Sequence, residues 1–107
     1  MRKLDLFSDL VATYERHGWR LRSVLLTPDT KAELQAAAVE VEIKDAEFNA
    51  LWFSRPSHQK RDAWELRLLS DTPYALFETF EVDETEEQQT EARQEMEARL
   101  REYVSAR

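Results

Sequence analysis

The fold of this chain depends on one stretch, Leu51-Trp52-Phe53-Ser54-Arg55, whose first three residues are all large and apolar. Charged residues make up 35% of the sequence, so such a run is unusual here. Successive side chains of a β-strand point to opposite faces of a sheet. We therefore predict a strand that presents apolar groups to both faces, with Trp64-Glu65-Leu66-Arg67-Leu68-Leu69 as its hairpin partner.

Composition indicates one folded domain covering residues 1–107, since 42% of the residues are hydrophobic and none is cysteine. Without cysteine there is no disulfide framework and no thiolate metal site. No apolar run approaches the roughly 20 residues that span a bilayer. The N-terminal residues do not form a signal peptide, because acidic residues follow the two basic ones. We expect a soluble cytoplasmic protein that binds no membrane and requires no cofactor.

Acidic residues are concentrated towards the C-terminus. From Glu81 onward there are nine acidic residues and four arginines, which carry −5 of the formal net charge of −7. The preceding residues are nearly balanced in charge. Nucleic-acid binding requires a basic footprint. We therefore expect no nucleic-acid partner.

The periodicity of apolar residues predicts an α+β protein. The predicted element order is α-β-α-β-β-β-β-α, in which the last four strands form an antiparallel meander. The result is a mostly antiparallel five-stranded sheet, with helices on one face that include a long acidic C-terminal helix. The predicted helices cover 4–17, 28–37 and 83–104, and the predicted strands cover 19–27, 39–44, 48–55, 64–69 and 74–82.

The central hairpin predicts which side chains share a face. If Arg55 lies opposite Trp64, then Leu51 and Phe53 belong to a core face. The other members of that face are Trp64, Leu66, Leu68, Ala75 and Phe77. The face taken by Val39, Val41 and Ile43 depends on whether the turn at 45–46 is even or odd, so it stays open. On the opposite face, Arg67 is then placed to stack on Trp52. The residues of this face are Phe48, Trp52, Arg67, Leu76 and Phe80.

This second face is the surface that we associate with function. Either a helix covers it, or its apolar groups form an interface of the size that usually marks a binding site. We favour a non-enzymatic domain that self-associates or binds a protein partner through this face, because tryptophan and arginine are common interface anchors. A homo-oligomer is one form of that expectation.

A second possibility is catalytic. Pro28-Asp29 followed by Glu42-Ile43-Lys44 resembles the proline-aspartate and Glu-x-Lys pattern of metal-dependent nucleases of the restriction-enzyme type. The resemblance implies that Asp29 and Glu42 hold a hard cation and that Lys44 helps to activate water. It covers five residues, and an alanine-rich helix stands between the two halves where the family has a strand hairpin. Ordinary solvent-facing strand residues fit this alternation better, so we predict no metal site.

The loop that connects the central hairpin holds a basic cluster, formed by Arg55, His58, Lys60 and Arg61. His58 could act as an acid or base, and the cations could hold a phosphate. The alternative is a solvated polar loop. An anion-binding or phosphate-binding enzyme that uses this cluster, or the nuclease-like trio, is therefore the second functional hypothesis.

Overall fold

The computed structural model describes residues 2–35, 40–81 and 83–106. These residues form helices and strands in the predicted order, which confirms the α+β class and the mostly antiparallel five-stranded sheet. The helices are α1 (Lys3–Arg16), α2 (Pro28–Leu34) and α3 (Glu86–Ser105), and a 3-10 turn spans His58–Lys60. The strands are β1 (Arg20–Leu26), β2 (Glu42–Asp45), β3 (Ala50–Pro56), β4 (Asp62–Leu68) and β5 (Ala75–Phe80).

Local signals set the helix ends. Gly18 follows α1 with a φ of 85°, a left-handed conformation that glycine adopts without steric cost. Pro28 opens α2, where its fixed φ suits the first helical position. At α3 the Thr85 hydroxyl accepts from the Gln88 amide at 3.1 Å, and the Gln88 side chain accepts from the Thr85 amide at 2.9 Å. This capping box explains why α3 begins at Glu86, three residues later than predicted.

The strand order is β2-β1-β3-β4-β5, so the predicted four-strand meander is wrong. Strand β2 pairs with β1 in parallel, and β1 lies between β2 and β3. The physical reason is that Val24, Leu25 and Leu26 are all buried, which suits a central strand, whereas β2 is short and charged and suits an edge. The predicted parts of α2 and β2 that fall on residues 36–39 lie outside the described residues, as does Val82.

The register of the central hairpin is one residue away from the predicted one. Ser54 lies opposite Trp64, and Arg55 lies opposite Ala63. The ladder continues to the pair of Pro56 and Asp62, both of which were predicted to lie in the connecting loop. A one-residue shift moves a strand's side chains to the opposite face. Trp64 therefore shares a face with Trp52 and not with the predicted core.

Apolar clusters fill both faces of the sheet, so the predicted arrangement with helices on one face is also wrong. The cluster on the α1/α2 face contains Phe7 of α1, Leu34 of α2 and Phe53 of β3, and Ile43 of β2 and the preceding Val41 pack against it. The cluster on the α3 face contains Leu100 of α3 together with Trp52, Leu66 and Leu68. The domain therefore has three layers, with the sheet between two layers of helix.

Candidate functional site

Helix α3 covers the apolar face that the sequence predicted as a binding surface. Phe48, Trp52, Leu76 and Phe80 are only 6%, 2%, 9% and 2% exposed. The indole Nε1 of Trp52 donates a hydrogen bond to Glu97 Oε2 of α3 at 2.8 Å. While α3 is docked, a partner has no access to these side chains. These side chains therefore do not form an exposed binding surface in this structure.

Arg67 lies on the other face of the sheet from Trp52, so the predicted stacking of its guanidinium on that indole is wrong. It is opposite Leu51 across the β3–β4 ladder, and its Nε donates to the carbonyl of Leu68 at 3.1 Å. The aromatic neighbour of Trp52 is Trp64, with ring centres 5.9 Å apart and an interplanar angle of 77°. The one-residue change of register accounts for both observations.

The basic loop residues do not converge on one point. Arg61 forms an ion pair with Glu81, with Nε and Oε2 3.0 Å apart. Arg55 donates a hydrogen bond to the carbonyl of His17, just after α1, and His58 and Lys60 are exposed in the 3-10 turn. Among the described residues no contact joins these four side chains into a shared anion site.

The nuclease-like trio is divided between the two faces of the sheet. Asp29 lies exposed in the first turn of α2, which packs on the α1/α2 face. Glu42 and Lys44 line a cleft on the α3 face, where their charged groups are 3.9 Å apart. Within the part of the chain that the structure describes, no three acidic or histidine side chains group to hold a metal ion.

Phe77 is the most exposed large apolar side chain of the described residues, with 56% of its surface accessible. It lies in one cross-strand row with Glu65 and Phe53, which places it on the α1/α2 face. The sequence assigned it to the core face, and it does share a face with Phe53. However, α1 and α2 lie towards β1, β2 and β3, so the β5 end of this face is open.

Several groups surround this exposed ring, and together they form what we call the Phe77 surface: Trp19, Arg55, Ala75, Phe77 and Thr79. The Trp19 ring meets Phe77 edge-on, with centres 6.2 Å apart and an angle of 83°. The Arg55 guanidinium lies 4.6 Å from the centre of the Trp19 ring and donates to a carbonyl at the end of α1 at 2.8 Å. The surface is therefore a fixed aromatic and arginine patch.

The backbone of β5 also has free hydrogen-bonding groups. The carbonyl of Tyr74 accepts from the Leu68 amide at 3.0 Å, so it points towards β4. Backbone groups alternate in direction along a strand, which means that those of Ala75, Phe77 and Thr79 point away from β4. In the described sheet, β5 is a terminal strand and has no neighbour on that side. These outward groups are available to pair with another strand.

The other edge of the sheet is different. Strand β2 has only four residues, three of them charged. Lys44 faces Glu42 at 3.9 Å, and Lys31 of α2 forms an ion pair with Asp45 at 3.2 Å. Short, charged edge strands resist further pairing. The two edges are therefore unequal, and β5 is the one suited to association.

A cleft of about 290 Å³ lies on the α3 face, between α3 and the β1–β2 end of the sheet. Its lining is mostly polar and includes three cations and two carboxylates. The lining residues are Arg22, Ser23, Glu42, Lys44, Trp52, Trp64, Thr90, Arg93, Gln94 and Glu97.

Two guanidinium groups in this cleft approach the same indole. The central carbons of Arg22 and Arg93 lie 5.5 and 4.5 Å from the centre of the Trp64 ring. Burial lowers the pKa of the Arg93 guanidinium, and the positive charge of Arg22 lowers it further, while Glu86 and Glu97 act in the opposite direction. The cleft thus holds two like charges that both contact one aromatic ring.

Neither the Phe77 surface nor the cleft was identified as a candidate site from the sequence. The alternation of β5 placed Phe77 on the correct face, but no local signal shows where a helix layer ends. Arg22 and Arg93 belong to different elements that are far apart in the chain, so no motif connects them. Only the packing of α3 on the sheet brings them together at the ring of Trp64.

Comparison with models of known protein families, with curated proteins and with solved structures gave no significant match to this chain. Among the helices of the described residues, none is both long and apolar enough to cross a membrane.

Proposed function

We propose that this chain is a small non-enzymatic domain that self-associates by pairing β5 with β5 of a second copy. The observation that carries the proposal is the exposure of Phe77 on a terminal strand whose neighbouring backbone groups point outward. The proposal keeps the self-association expected from the sequence but moves it from the covered Trp52 face to the β5 edge.

The sequence of β5 suits antiparallel pairing with itself. In a symmetric pair centred on Phe77, the two Phe77 residues oppose each other, and Ala75 of each copy opposes Thr79 of the other. All three residues have outward backbone groups, so the whole register can form hydrogen-bonded pairs. The same residues place an aromatic cross-strand pair on the open face, which is worth about 0.2–1 kcal/mol relative to alanine. None of the opposing side chains is charged.

The inequality of the two edges limits the assembly to two copies. When the β5 edges of two copies pair, the remaining sheet edge of each copy is β2. Because that charged edge resists pairing, the assembly closes as a twofold dimer. One six-residue strand with its flanking side chains is smaller than the roughly 800 Å² per partner of stable complexes. We therefore expect a weak dimer whose population rises with protein concentration. A cytoplasmic location, in keeping with the lack of cysteine, is part of the same proposal.

The first experiment is sedimentation velocity across a wide concentration range for the wild type and Phe77→Glu. We expect the average mass of the wild type to rise with concentration and that of Phe77→Glu to stay at the monomer value. Leu4→Glu is the matched control, because Leu4 is also exposed, at 38%, but lies on α1. The control should associate like the wild type. A wild type that stays monomeric at the highest concentration, or equal behaviour of Phe77→Glu and wild type, would refute the proposal.

A second variant tests the role of the backbone. Ala75→Pro removes one outward N–H at the first residue of β5, a position where an edge strand tolerates proline. The folded monomer should keep its circular dichroism spectrum, whereas dimerisation should weaken. Undiminished dimerisation of folded Ala75→Pro would contradict strand pairing even if Phe77 matters.

A further inference from the structure

We infer that the cleft between α3 and the β1–β2 end of the sheet binds a small phosphomonoester, with Arg22, Lys44 and Arg93 holding its phosphate. This site lies on the opposite face from the Phe77 surface, so the inference does not depend on the proposed dimer. It is separate from the basic loop, and it shares Glu42 and Lys44, but not Asp29, with the nuclease-like trio that the sequence suggested.

The guanidinium groups are the first support. Among the residues that the structure describes, neither Arg22 nor Arg93 forms an ion pair with a carboxylate. Both instead lie against the ring of Trp64. A guanidinium stacked on an aromatic ring keeps its in-plane N–H donors available, and their fork matches two oxygens of a phosphate. The two groups also repel each other, and a bound dianion would relieve that repulsion.

The remaining lining suggests what the phosphate is attached to. Glu97 is held by the hydrogen bond from Trp52 Nε1, which leaves its other oxygen able to accept from a hydroxyl. Glu42, Thr90 and Gln94 add polar groups to the same lining. The cleft volume of about 290 Å³ is at the lower limit for ligand pockets. These features favour a compact, hydroxyl-bearing phosphomonoester over a large or apolar ligand.

The charge of the whole chain makes the inference testable. The formal net charge of −7 repels anions in general. Any saturable binding of a dianion at constant ionic strength must therefore come from local cations. Salt screens interactions between exposed charges, so the ionic strength has to be matched in every sample.

The three tryptophans provide a built-in readout, because Trp52 and Trp64 line the cleft and Trp19 lies on the opposite face. The indole N–H resonances are followed by NMR during titration with ribose 5-phosphate, with inorganic phosphate as the second probe. We expect saturable shifts at Trp52 and Trp64, with a dissociation constant on the order of 1 mM or tighter, and no shift at Trp19. The protein is kept dilute so that self-association does not affect Trp19. The absence of saturation, or equal shifts at all three indoles, would overturn the inference.

Substitutions assign the binding to the cleft. Arg22→Gln should weaken binding about tenfold or more, because it removes a charge-assisted, two-oxygen contact. The affinity of Arg22→Lys should lie between those of the wild type and Arg22→Gln, because lysine keeps the charge but lacks the forked pair of N–H donors. Arg99→Gln makes the same change of charge at an exposed arginine of α3 outside the cleft and should bind like the wild type. Arg22 is exposed, so the variant should fold, which the unchanged Trp19 resonance verifies. Wild-type affinity in folded Arg22→Gln would refute the assignment.

Discussion

Leu100→Ala tests whether α3 is docked on the sheet, the feature that removes the Trp52 face from the surface. Leu100 is 0% exposed and belongs to the same apolar cluster as Trp52. Complete burial of a leucine side chain is worth about 1.5–3 kcal/mol. The cavity left by alanine adds to that loss, so buried leucine-to-alanine changes cost about 2–5 kcal/mol. Domains are typically stable by about 5–15 kcal/mol, so this one substitution should remove a large fraction of the total.

The measurement is urea-induced unfolding followed by tryptophan fluorescence. We expect the midpoint to fall with an unchanged slope, since the surface exposed on unfolding stays nearly constant. The midpoint of thermal unfolding should fall by roughly 8–40 °C, because the expected loss is about 2–5 kcal/mol and 1 kcal/mol corresponds to about 4–8 °C in a domain of this size. Leu4→Ala is the control for the same chemical change at a site that is 38% exposed, and it should cost less than about 1 kcal/mol.

The reasoning is refuted if Leu100→Ala loses no more stability than Leu4→Ala. That result would mean that α3 is not packed on the sheet in solution. The Trp52 face would then be open, and the interface expected from the sequence would become the leading hypothesis again. A large loss with retained concentration-dependent mass would instead support both the three-layer fold and the separate β5 interface.

Two further substitutions test individual polar contacts. Glu97→Ala removes the acceptor of the Trp52 indole N–H, so it should lower the free energy of unfolding measured in urea by about 1.5–3 kcal/mol. Glu97→Gln and the exposed control Glu95→Ala should lower it clearly less. Equal losses in all three variants would show that this hydrogen bond is unimportant. Burial raises the pKa of Tyr14 above its usual value of about 10. The hydrogen bond to the Glu65 carboxylate and the negative charge of that group raise the pKa further. The folded state then holds the phenolic proton more tightly than the unfolded state, so this contribution to stability is complete below about pH 10 and is lost as the pH rises further. Tyr14→Phe should therefore flatten the decline in stability above about pH 10, and equal declines in both proteins would contradict the raised pKa.

The fold class could be predicted because the signals that define it are local. Apolar periodicity and turn residues gave the order of elements, and the single glycine and the Thr85 capping box lie where helices end or begin. The neighbours of each strand could not be predicted in the same way. Strand β1 is central because Val24, Leu25 and Leu26 are buried on both sides, and its sequence already showed this apolar run. The meander was nevertheless assumed, because consecutive strands usually pair.

The candidate sites depend on register and on helix placement, which are tertiary properties. One residue in the β3–β4 register separates Arg67 from Trp52 and brings Trp64 beside it. No local pattern distinguishes the two registers, because Leu51, Trp52 and Phe53 of the partner strand are apolar on both faces and accept the Trp64 strand in either register. The sequence did leave open that a helix covers the Trp52 face, and that alternative is the one that the structure contains.

The positions of both proposed sites follow from the number of helices that the chain supplies. Adjacent strands lie about 4.8 Å apart and a helix is about 10 Å wide, so α3 alone cannot cover a face of five strands, and on the other face α2 has only seven residues. On one face α1 and α2 lie towards β1, β2 and β3, which leaves Phe77 at the β5 end exposed. On the other face α3 packs with β3, β4 and β5, which leaves the cleft with Arg22 and Lys44 at the β1–β2 end. The uncovered regions lie at opposite ends of opposite faces, so occupation of the cleft should leave dimerisation unchanged. This separation is the reason to expect that the proposed interface and the proposed ligand site act independently of each other.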